Sequence, residues 1–139
     1  MKWYLWGYSL TFSTTGSKVI GNFAHLGFHG IDQVGDLVFA LFQGMFAALT
    51  PALLVGAAAE RGRILPCMVF VLLWATLVYD PIAYWTWNRN GWAYQLGVLD
   101  FAGGTPVHIS SGAAALAYSS FLGKRKRRSE VLSYSNCLI

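Results

Sequence analysis

The chain has 139 residues, 55% of them hydrophobic and 16% aromatic, with only 12% charged and a mean hydropathy of +0.46. A soluble domain carries about 25% charged residues, whereas here the few charges are bunched and none lies in 37–59, 64–79 or 101–123. That distribution excludes a soluble globular enzyme, a nucleic-acid-binding domain and a disordered chain, and it reads as an all-α, polytopic membrane helix bundle.

Taken in order, Trp3 to Ser17 is apolar and uncharged but only 15 residues long, and reads as the end of a helix whose beginning is missing. A cleavable signal peptide is the competing reading, since Lys2 precedes an apolar run, but the aromatic crowding and the lack of a small-x-small cleavage site fit it poorly. Leu37 to Ala59 gives 23 uncharged residues, about 34 Å as a helix and enough for a ~30 Å hydrocarbon core. Within it Gly44, Ala48, Ala52 and Gly56 recur every four residues, a seam that lets another helix backbone approach. On another face Phe42 and Phe46 stand one turn apart, where composition alone says lipid contact or packing. Thr50-Pro51 removes a backbone donor in mid-span and should bend the helix.

The next span is read as 64–87, running through Asp80 and Pro81 into an aromatic cluster of Tyr84, Trp85, Trp87, Trp92 and Tyr94 suited to the headgroup level. Residues 101–123 form a further uncharged segment, built from Gly, Ala and Ser and so best shielded by other helices. Arg61 and Arg63 in one short loop, and the basic run 124–128, place residues 60–63 and the C-terminal end in the cytosol and the loops 14–36 and 88–100 outside. The basic run reads as a stop-transfer and orientation signal rather than a nucleic-acid contact. Cys67 and Cys137 lack metal-binding spacing, and His25 and His29 read as ordinary loop residues. No metal or cofactor is implied.

The segment DFAGGTPVHISSG, residues 100–112, is the most informative. Asp100 precedes a helix start marked by Gly103, Gly104 and Pro106, and two readings stay open: a simple cap on the helix dipole, or a carboxylate facing a cation. His108 lies inside a membrane helix, where an ionisable group is a functional-site hypothesis by default. A neutral histidine bonded between helices is its alternative. Gly112, one turn on, leaves room beside the imidazole.

LWGYSLTFS at 5–13, FQGMFAALTPALLVGAAAERGR at 42–63, WNRNGW at 87–92 and LDFAGGTPVHISSG at 99–112 resemble the ammonium transporter family, the Amt/Mep/Rh proteins, and most of all its fungal members. The resemblance runs over residues 1–126, with 127–139 set apart as a polar cytosolic tail, and covers the end of the family's second helix and its third to fifth. It implies a fragment of an eleven-helix fold of two inverted repeats, assembling as a homotrimer in the plasma membrane when the other half is present. It also implies a transporter and not an enzyme. Phe46 and Trp87 would form the outer cation site, Phe42 and Phe46 the gate, Asp100 the buried acid near the outer vestibule, and His108 the first pore histidine. Ammonium would be recruited at the aromatic site and deprotonated, and ammonia would pass the histidine. The alternative is a truncated, non-transporting membrane polypeptide or gene-model fragment, which could modulate full-length trimers.

Overall fold

The computed structural model describes residues 1–59 and 62–124. The basic run beyond Lys124, the tail 127–139, Cys137 and Arg61 lie outside the described residues. Every regular element among those described is helical.

Helix α1 is a π-wound stretch, Trp3–Gly7, continuing as the α-helix Tyr8–Phe12. It stops well short of residue 17 because Ser13 turns extended (φ −62°, ψ 139°) and the following hydroxyl residues bond to the backbone instead of prolonging the helix. The Ser13 Oγ accepts the Asn22 N–H at 2.8 Å, and the Gly21 N–H donates to the Leu10 carbonyl at 3.0 Å. Gly21 is required there, since a Cβ would lie 2.3 Å from that carbonyl oxygen.

Helix α2 is Val34–Gly56. It starts before Leu37 because Asp36, which interrupts the uncharged run, falls in the first turn, where the helix dipole favours an acid. It ends at Gly56, three residues before Ala59. The backbone stays helical through Thr50-Pro51, and the Thr50 Oγ donates to the Phe46 carbonyl at 2.7 Å. The small-residue seam is used differently from the sequence expectation. Gly44 sits beneath the Trp3 indole, 3.0 Å from where its Cβ would be, and the Trp3 Nε1 donates to the Ala40 carbonyl at 2.9 Å. Ala48 and Ala52 line an open groove of about 490 Å³ shared with Ile64, Cys67 and Met68, so among the described residues no helix backbone closes over them.

Helix α3 runs Ile64–Trp74, then a π-wound turn Ala75–Tyr79, then Asp80–Trp87. The widened turn lies just before Pro81, whose missing N–H and bulky ring break the regular ladder. A short helix α4, Trp92–Gln95, follows in the loop between α3 and the next helix. Helix α5 begins π-wound over Gly104–Ile109 and continues as Ser110–Leu122. It starts three residues later than residue 101, because Asp100 serves as its cap.

The core is where α2, α3 and α5 meet: Leu54, Trp74, Ala75, Tyr79, Ala83 and Val107, with Trp3, Phe46 and Trp87 packed against it. Phe70 of α3 stacks flat on Tyr118 of α5, ring centroids 5.0 Å apart. By length and composition two stretches among the described residues can cross a membrane, Val34–Gly56 and Ile64–Gln95. Many of their large apolar side chains point outward, among them Leu41, Met45, Leu65 and Leu77.

Candidate functional site

Asn88 leaves the helical conformation (φ −79°, ψ 136°) and ends α3 just after Trp87. Its buried side chain explains the stop. The Asn88 Nδ2 donates to the Thr11 and Ser13 carbonyls, each at 3.0 Å, satisfying acceptors that the end of α1 would otherwise leave orphaned. Neighbours complete the tie: the Tyr84 OH donates to the Ser17 carbonyl at 2.5 Å, the Trp85 Nε1 to that of Val19 at 2.5 Å, and the Asn90 Nδ2 to that of Thr14 at 2.6 Å.

Trp87 is therefore presented from a fixed point, and three contacts fix its ring. The indole N–H donates to the Asp100 carbonyl at 2.7 Å. Gly103 lies beneath it in the left-handed conformation (φ +85°), and a Cβ there would stand 3.0 Å from the indole Cζ2 and 2.7 Å from the Val107 Cγ2. Phe46 meets it edge to face, centroids 5.7 Å apart, and Phe42 meets Phe46 the same way at 5.2 Å. Trp87 and Phe46 are half-buried, so part of each stays open, and Phe42 is exposed.

Asp100 lies on the loop that leads into α5. It is half-buried, and its carboxylate is turned onto the start of α5: Oδ1 accepts the Gly104 N–H and Oδ2 the Thr105 N–H, each at 2.6 Å. Partial burial pushes the carboxyl up, but the Thr105 and Gly104 amides outweigh it and hold the group below the usual carboxylate range. Asp100 thus caps a helix with its side chain and positions Trp87 with its main chain.

His108 lies one turn along α5 from Gly104, on the side away from the core. Val107 beside it is buried, whereas His108 is exposed and Gly112 has nothing within 4 Å of where a Cβ would be. So Phe42, Phe46, Trp87 and Asp100 form one connected cluster, and His108 stands apart on the open wall of α5.

One buried charged pair escaped the sequence reading. The Lys2 Nζ lies 2.6 Å from the Asp80 Oδ1, with Asp80 fully buried. The signal was present, an acid in mid-span, which calls for a partner. Among the described residues no group of three or more His, Cys, Asp or Glu is placed to hold a metal ion.

A helical bundle with two stretches long and apolar enough to cross a membrane, and with clustered aromatics over a capped helix start, has the architecture of an integral membrane protein. The sequence matches the Ammonium Transporter Family over residues 1–139, including the tail set apart above, and the chain belongs to that family. Ammonium transporter 1 of Schizosaccharomyces pombe is 60% identical, over 89% of this chain and 27% of its own length. The ammonium transporter Mep2 of Saccharomyces cerevisiae is 49% identical, over 89% of this chain and 27% of its own. The crystal structure of Candida albicans Mep2 superposes with a TM-score of 0.82 at 51% identity, covering 89% of this chain and 29% of that one. The chain thus spans between a quarter and a third of the length of these relatives.

Proposed function

We propose that this chain forms one wall of an ammonium-conducting path in a plasma-membrane homotrimer, with Trp87 and Phe46 recruiting the cation at the mouth and His108 managing its proton further in. The observation that carries the reading is the fixed Trp87–Phe46 pair, 5.7 Å between centroids, held over the start of α5. Aromatic faces replace part of ammonium's hydration by cation–π attraction worth about 1–2 kcal/mol once desolvated. Asp100 contributes negative charge close to the pair, although its carboxylate is engaged with backbone amides. Deeper in, a cation without a counter-ion is disfavoured, so loss of a proton and passage of neutral ammonia become the easier route. An exposed imidazole on α5 is suited to accept or relay that proton. Phe42 and Phe46, stacked edge to face, supply a gate on this side.

The test is current recording on a chimera that joins this chain to the remaining helices of a related transporter. Trp87→Ala should raise the ammonium concentration for half-maximal current and leave part of the maximal current, since it removes attraction at the mouth. His108→Ala should lower maximal ammonium current or admit potassium. If His108→Ala shifted only half-saturation, the proton-handling role would be wrong.

A further inference from the structure

We propose that the Asp80 carboxylate, the Ala75 carbonyl and the space kept open over Gly7 form an intramembrane binding site for an ammonium-class cation, filled in this chain by the side chain of Lys2. The site is separate from the aromatic mouth. The Lys2 Nζ donates to the Asp80 Oδ1 at 2.6 Å and to the Ala75 carbonyl at 3.1 Å, so a primary ammonium group is held by two oxygens of different helical residues. Asp80 has no exposed surface, and its second oxygen, Oδ2, is buried without a hydrogen-bond partner. An ammonium group carries three N–H donors on a lysine and four when free, so the site offers one more acceptor than Lys2 reaches.

The backbone explains why these oxygens converge. In the π-wound turn the Asp80 N–H itself bonds to the Ala75 carbonyl, which locks the carbonyl and the carboxylate to one another five residues apart. From the other side Gly7 makes the room: a Cβ there would lie 3.0 Å from the Lys2 Cε and 3.1 Å from its Nζ. Any side chain at position 7 would press on the ammonium group. Removal of the lysine side chain leaves the carboxylate without its counter-ion, a state that a cation with directional N–H donors relieves and that a cation lacking them relieves poorly.

The experiment measures thermal unfolding of the full 139-residue chain in detergent, as wild type, Lys2→Ala and Lys2→Ala/Asp80→Ala. Each is titrated with ammonium, methylammonium, tetramethylammonium or potassium chloride at matched ionic strength. The expected result is that Lys2→Ala melts lower than wild type and that its Tm rises with the logarithm of ammonium or methylammonium concentration. Wild type, whose site is filled, and the double variant, whose carboxylate is gone, should show no such rise. A Lys2→Ala chain that folds only when ammonium is present supports the site equally. The proposal is overturned if Lys2→Ala gains nothing from ammonium, if potassium or tetramethylammonium serves as well, if wild type or the double variant gains as much, or if Lys2→Ala stays unfolded with and without ammonium.

Discussion

Asp100 shows how one side chain and its own carbonyl can serve two neighbours, the carboxylate closing the start of α5 and the carbonyl holding the Trp87 indole. Replacing it with Ala should cost about 1 kcal/mol, the ordinary value of an N-terminal cap, while the main-chain bond to Trp87 persists. Its folded pKa lies below the unfolded value of about 3.9, so its stabilisation is complete above that value and is lost as pH falls through the folded pKa. The acid limb of Tm against pH should therefore be shallower in Asp100→Asn than in wild type, and identical limbs would remove this role. The sequence left both readings of Asp100 open, and the bonds from its carboxylate to the Gly104 and Thr105 amides could not be read from residue type alone. That Asp80 needs a partner was legible, but that the partner is Lys2 was not: the pair is separated by 78 positions, and neither helical periodicity nor loop chemistry connects residues so far apart.

At the scale of the element, the all-helical class and the position of each long apolar run could be read directly, because an apolar run of twenty or more residues with at most one charge has few other meanings. The helix ends could not. Asp36 is absorbed into α2 by the dipole at its start, and α1 is cut at Phe12 by hydroxyl and amide side chains competing for its backbone. The three π-wound turns were also hidden, since a bond from i to i+5 leaves no spacing signature in side-chain type, although Pro81 and Pro106 mark where two of them lie. Gly103 carries a further prediction for α5. Gly103→Ala forces a left-handed backbone on a residue with a Cβ, worth about 1–2 kcal/mol, and drives that Cβ against Val107 and Trp87. Loss of stability should come with loss of the Trp87 indole N–H bond, visible as an upfield movement of its proton resonance. A Gly103→Ala chain with an unmoved Trp87 resonance would show that the ring is held by Asp100 and Phe46 alone.

For the whole molecule, the charge bias should orient the bundle with Leu99 outside and Lys124 in the cytosol. With Cys67 and Cys137 replaced, an impermeant thiol reagent applied to intact cells should label Leu99→Cys and spare Lys124→Cys; the opposite pattern would invert the topology. Phe42 and His108 face outward from the bundle, so the path proposed above has no opposing wall among the described residues. Expression of these 139 residues alone in cells lacking ammonium carriers should fail to restore growth on low ammonium, and restored growth would mean that copies of the chain complete a path together. The bonds from Tyr84, Trp85, Asn88 and Asn90 back to residues 11–19 also set an order of biosynthesis. Each joins positions 66 to 77 apart, so at about 5–20 residues per second the ribosome delivers the second partner several seconds after the first. Until α3 has emerged and turned at Asn88, α1 lacks the amide that seals its last carbonyls and must be sheltered by the insertion machinery, so that α1, translated before α2 and α3, is among the last of these helices to be secured.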